Sequence, residues 1–172
     1  MLRRLSESTS QEILRTVYFA CFFSRISYCI LNWGSSCHAL TIFKMQKTAI
    51  RIIFNLKQQD SCRSYFRRLQ TLTLPSLYIL KVLEYIKTNE HMYLERRNMH
   101  QYNTRTCHQL FIQKCRLSKT KNSNPEQIGL KIYNHLPGWL TKLSKKAFTK
   151  KIKQKLIEEE LYNIEDFFNC QF

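Results

Sequence analysis

Asp60 and Asp166 are the only aspartates in the 172 residues, whereas two-metal nucleotidyl transfer needs carboxylates clustered tightly enough to hold cations about 3.5 to 4 Å apart. The two are unpaired and distant in the chain. Glu158, Glu159 and Glu160 point in three directions around a helix, which suits a solvated helix end better than a metal site. No glycine-rich phosphate loop is present. His100, Cys107, His108 and Cys115 offer four zinc-ligand types within sixteen residues, but their spacing matches no common finger or knuckle, so neither zinc nor another cofactor is expected. Cys37 beside His38 pairs a nucleophile with a base by residue type only, because consecutive helix residues do not face each other. No enzyme chemistry and no small-molecule substrate are expected.

Basic residues interleaved with aromatics form the remaining chemical signal. Lys44, Lys47 and Arg51 follow helical spacing along one edge, Arg63, Arg67 and Arg68 cluster around Tyr65 and Phe66, and Lys146, Lys150 and Lys153 share one face of a late helix. Such side chains neutralise phosphates and release counterions, giving affinity that does not depend on base sequence. Charge points the same way: 28 Lys and Arg stand against 12 acids, and none of the 28 follows Lys155. Residues 1–157 therefore carry +21 and the last fifteen carry −5. An anionic polymer or an anionic membrane surface is the expected partner class.

The elements that must position these cations are helical. Only three Gly and three Pro leave few tight turns, and the apolar residues recur at helical rather than alternating spacing. We expect a mainly α protein: a helical hairpin with further helices packed on it, a less regular middle segment and a basic C-terminal helix. The hairpin spans 13–54. Phe19, Phe22, Ile26, Ile30 and Trp33 line its first arm, Ala39, Ile42, Phe43, Ala49, Ile50, Ile53 and Phe54 its second, and Gly34 ends the first arm in the left-handed conformation. Ser8 or Ser10 is the expected cap of the first helix, and Asp60 or Ser61 that of the next. Thr73, Leu74 and Pro75 start a helix ending near Lys87, with Tyr78, Val82, Tyr85 and Ile86 inward. After a polar stretch, residues 128–136 form a helix stopped by Pro137, and Leu136, Trp139 and Leu140 anchor the tail. Ser144 caps a long helix with Phe148, Ile152 and Leu156 inward, and Asn163 caps a final turn. This divides the chain into a helical domain at 1–90, an irregular connection at 91–127 and a helical tail at 128–172.

The N-terminus lacks an apolar run with a cleavage site, and seven scattered cysteines suit reduced thiols, several of them buried, so an intracellular chain is expected. A membrane span at 13–31 is disfavoured by Arg15 and Arg25, each costing about 2.5 to 3.5 kcal/mol near a bilayer centre.

Several stretches in order resemble the C-terminal part of reverse transcriptases from non-LTR retrotransposons of the jockey-like kind. They are Ser27-Tyr28-Cys29-Ile30-Leu31-Asn32-Trp33-Gly34, then Gln46 to Ile53, then Leu72-Thr73-Leu74-Pro75, then His100-Gln101-Tyr102-Asn103-Thr104-Arg105, then Gly129 to Pro137, and last Phe148 to Lys153 with Leu161 to Ile164. Cys29 stands where the family pattern has glycine, and Thr149 where it has lysine. The resemblance implies a thumb and its extension up to about residue 90 and a post-thumb tail beyond. It implies no catalysis, since the family's fingers and palm have no counterpart here. It also implies template RNA or an RNA/DNA duplex as ligand, a reverse-transcriptase palm as neighbour, and His100, Tyr102 and Arg105 as either RNA contacts or a hydrogen-bonded loop anchor. A rival expectation needs no nucleic acid: a protein-interaction or membrane-surface module, with the apolar hairpin docking a partner and the lysine helix meeting acidic lipids.

Overall fold

The computed structural model describes residues 2–99, 105–113, 116 and 124–170. It is mainly helical, and the described residues contain one isolated antiparallel bridge, Glu95 to Leu110. The first helices are α1 (Leu2–Leu5), α2 (Gln11–Val17), α3 (Ser24–Ser27), α4 (Ile30–Trp33), α5 (Ala39–Ile53), α6 (Arg63–Leu69) and α7 (Leu74–Thr88). The later ones are α8 (Pro125–His135), α9 (Gly138–Thr141) and α10 (Lys145–Glu159).

Helix α7 holds the centre. Thr73 caps it by accepting from the Ser76 amide at 3.3 Å, and Pro75 sits in its first turn, where no amide is needed. Leu74, Leu77, Tyr78, Ile79, Leu80, Val82, Leu83 and Ile86 are all buried, so the helix is apolar round most of its circumference and must be covered there, leaving only the strip of Lys81, Glu84, Tyr85 and Thr88 towards solvent. Tyr85, expected inward, is 42% exposed, because Ile79 and Leu83 fill the inward positions instead. Helix α8 lies against α7 closely enough that a Cβ on Gly129 would fall 2.6 Å from Val82 Cγ1 and 2.8 Å from Ile86 Cγ1. Phe148, Ile152 and Leu156 of α10, all buried as expected, cover another side. One continuous core thus runs from Leu14 to Phe167 and takes side chains from both the 1–90 and the 128–172 segments.

The hairpin arms are present, but the first differs from expectation. Residues 11–27 form one rod in which Tyr18–Phe23 is a π-helical turn, shown by the Ser24 amide bonding to the Phe19 carbonyl. The buried positions are Leu14, Tyr18, Ile26 and Ile30, with Phe19 and Phe22 only half-buried. A step of four residues overshoots a full α-helical turn by about 40°, and the extra residue of a π turn takes up that drift. The rod ends at Cys29, whose φ is 48°, not at Gly34, whose φ is −64°. Gly34 is needed for space instead: an added Cβ would meet Tyr78 Cδ2 at 2.3 Å.

Two caps also differ. Helix α6 begins after Cys62, while the Asp60 carboxylate closes the preceding turn by accepting from the Lys57 amide at 2.9 Å. Asp166 accepts from the amides of Tyr162 and Asn163 ahead of the final 3-10 turn, Glu165–Asn169, which buries Phe167. Leu136 and Leu140 anchor α9, but Trp139 is 54% exposed, contrary to its expected anchoring role. Cys62 and Cys107 are buried, whereas Cys21, Cys29 and Cys37 are exposed.

Candidate nucleic-acid interface

Helix α10 separates its two jobs by periodicity. With Phe148, Ile152 and Leu156 inward, Lys146, Lys150 and Lys153 are carried to the opposite, exposed face. Lys150 and Lys153 line a hollow of about 490 Å³ between α10 and α6, which they share with Arg67, Gln70, Gln154, Ile157 and Glu158. Two basic stretches separated by some eighty residues in sequence therefore converge on one surface. Lys155, on a neighbouring face, pairs with Glu159 at 2.8 Å, and that hydrogen bond raises its pKa.

The cations of α6 and α5 are drawn largely into the molecule's own contacts. Arg63 Nε donates to the Glu160 carbonyl at 3.2 Å, and its guanidinium lies 4.9 Å from the centre of the Tyr162 ring. Lys47 Nζ lies 4.8 Å from the Phe43 ring and 5.4 Å from Tyr162. Arg67 donates to the Glu158 carbonyl and sets its Nε 3.3 Å from Glu160 Oε1, an ion pair without an aligned hydrogen bond. Burying Glu160 requires such a counter-charge. Arg51 donates to the Asp60 carbonyl at 3.2 Å, and Arg68 covers the Phe54 ring at 5.5 Å. Lys44 stands apart, on the rim of a groove of about 810 Å³ with Arg3 and Arg25, over a floor that includes Val17, Phe22 and Ile52.

Residues 158–167 thus form a strap across α6 and the start of α7. Thr73 Oγ1 donates to the Leu161 carbonyl, Tyr162 OH lies 3.7 Å from Cys62 Sγ, and Leu161 and Phe167 are buried. Burial first, and then the Cys62 thiol, push the Tyr162 phenol well above the ordinary range, against the opposing pull of Arg63 and Arg51.

Of the loop residues, His100 and Tyr102 lie outside the described residues, and Arg105 is exposed in a turn. Tyr133 and Asn134 are structurally engaged. Tyr133 OH donates to Glu90 Oε1 at 2.7 Å, and burial followed by that carboxylate raises its pKa strongly. Asn134 exchanges two bonds with the Leu110 backbone, accepting at 2.9 Å and donating at 2.8 Å, and so holds the 105–111 segment to α8. Sequence reasoning missed Gln46. Fully buried, it donates to Tyr18 OH at 3.0 Å and to the Leu72 carbonyl at 2.9 Å, and accepts from the Leu74 amide at 2.8 Å. A glutamine on the inward side of an amphipathic helix was the available signal.

Among the described residues no three His, Cys, Asp or Glu gather at metal-binding distance; His100 and Cys115 lie outside them. No described helix is long and apolar enough to cross a membrane. No family model, curated protein or solved structure matches this chain.

Proposed function

We propose that the chain is a non-catalytic, helical nucleic-acid-gripping region of the kind its motifs resemble, the thumb and post-thumb of a non-LTR retrotransposon reverse transcriptase, holding template RNA or an RNA/DNA duplex. The observation that carries this reading is the convergence of Lys150 and Lys153 of α10 with Arg67 of α6 around one hollow on a chain of net charge +16. Lys146 extends the row along the same face, so several ammonium groups can follow one phosphate backbone. The left-handed backbone at Cys29, where the resembling pattern has glycine, also supports it.

Replacing Lys146, Lys150 and Lys153 together by glutamine tests the reading in fluorescence anisotropy with labelled RNA and RNA/DNA duplexes. Affinity should fall whatever the base sequence, and the slope of log K against log salt should flatten by about 0.7 to 0.9 per lost phosphate contact. Unchanged affinity and slope would remove the support.

One observation favours a second reading, docking of an acidic amphipathic helix from a protein partner: the groove rimmed by Arg3, Arg25 and Lys44 has an apolar floor and no carboxylate in its lining. Binding of a short acidic amphipathic peptide that survives a Lys44→Glu substitution would count against it.

A further inference from the structure

We propose that Trp139 is a stacking platform for an unpaired base, so that single-stranded nucleic acid, or a frayed end, is held at the α9–α10 surface. This rests on the nucleic-acid reading above and names the part of the ligand it takes. A single exposed aromatic is ordinary on a protein surface, but three features set this one apart. First, it is presented rigidly. Its neighbours Leu136 and Leu140 are buried, and the Thr141 carbonyl accepts from Lys87 Nζ, so α9 is fastened to the end of α7 while Trp139 stays 54% exposed. Second, it has a cation at hand: Lys151 Nζ lies over one face of the ring, 5.9 Å from its centre, near enough to meet the phosphate adjoining a base stacked on the other face. Third, it adjoins the phosphate path. Trp139 and Lys151 line a hollow of about 190 Å³ that shares Gln154 and Glu158 with the larger hollow holding Lys150, Lys153 and Arg67.

Base-on-aromatic stacking tolerates any base, because every base has a π face, and within a duplex all but the terminal faces are already covered by neighbouring bases. The lysine row supplies charge to single strands and duplexes alike, whereas Trp139 should discriminate between them. Glu158, which accepts from Gln154 at 3.2 Å, sits between the two hollows and keeps the path from being uniformly positive.

The test compares the parent chain, Trp139→Ala, Trp139→Phe and the triple glutamine variant, first checked for an unchanged melt. Each is titrated with an oligouridylate of about 12 nucleotides, within usual site sizes, and with a blunt duplex of equal length. Trp139→Ala should weaken oligouridylate binding by roughly 5- to 150-fold, with the salt slope unchanged and duplex binding within about twofold of the parent. Trp139→Phe should retain most of the affinity, and tryptophan emission of the parent should be quenched on binding. Undiminished single-strand affinity in Trp139→Ala, or an equal loss on single strand and duplex, overturns the platform. The nucleic-acid reading then stands if the triple glutamine variant still loses affinity. If the parent binds neither probe, both fall together.

Discussion

Cys29 holds a left-handed backbone, φ 48°, in an exposed position. A non-glycine residue in this region carries a strain of about 1 to 2 kcal/mol, partly offset because glycine loosens the unfolded chain. Cys29→Gly should therefore stabilise the fold by about 0.5 to 1 kcal/mol in urea titration, with the denaturant slope unchanged. Gln46 lies at the other extreme. Its side chain joins Tyr18, the Leu72 carbonyl and the Leu74 amide, and truncation strands buried polar groups that each cost about 1 to 3 kcal/mol unpaired. Gln46→Ala should lower stability by about 3 kcal/mol or more, read in the same titration. The sequence disclosed half of this. A mismatch with the glycine pattern marks Cys29, but nothing local marks the bonds Gln46 makes, because its partners lie 26 and 28 positions away.

At the scale of elements, what was legible is what local chemistry decides. Thr73 with Pro75 marks the start of α7, Ser144 holds the N-cap position of α10 though its hydroxyl makes no capping bond, and the i, i+4, i+8 spacing of Phe148, Ile152 and Leu156 identifies the buried face of that helix. Asn124 caps α8 by accepting from the Glu126 amide at 3.0 Å, so that helix begins at Pro125, three residues before its first apolar residue, Ile128. The π turn at 18–23 was not legible, since an all-apolar run has no period from which a register shift can be read. The two-sided character of α10 predicts separable effects. Phe148 is fully buried, so Phe148→Ala should lower stability by about 3 to 5 kcal/mol, whereas the triple glutamine variant should leave the melt nearly unmoved. A thermal melt of both variants checks the contrast. The lysine face was readable from spacing, but its meeting with Arg67 was not, because it depends on how α10 lies beside α6.

The described residues are organised around α7 rather than the hairpin, because it is the most deeply buried of the described helices and both halves of the chain cover it. Tyr18, Tyr78 and Tyr133 in the core and the half-buried Tyr93 and Tyr162 all have phenol pKa values raised from 10.0, chiefly by burial. The unfolded chain therefore releases these protons first as pH rises through about 10, binds fewer protons than the folded state, and becomes relatively favoured. Stability should hold below that pH and fall above it. Absorbance near 295 nm should show the buried phenols ionising together with unfolding rather than along a smooth titration.

The strap at 158–167 also imposes an order of events during synthesis. Thr73 meets Leu161 across 88 positions, and Cys62 meets Tyr162 across 100. At about 5 to 20 residues per second, the ribosome leaves the start of α7 waiting roughly 4 to 18 s for the partners that seal it. During that interval the apolar surface of α7 is open to chaperones and proteases. Stalled nascent chains of increasing length should accordingly gain protease resistance only once Phe167 has left the exit tunnel; resistance appearing before Leu161 emerges would show that the core closes without its strap.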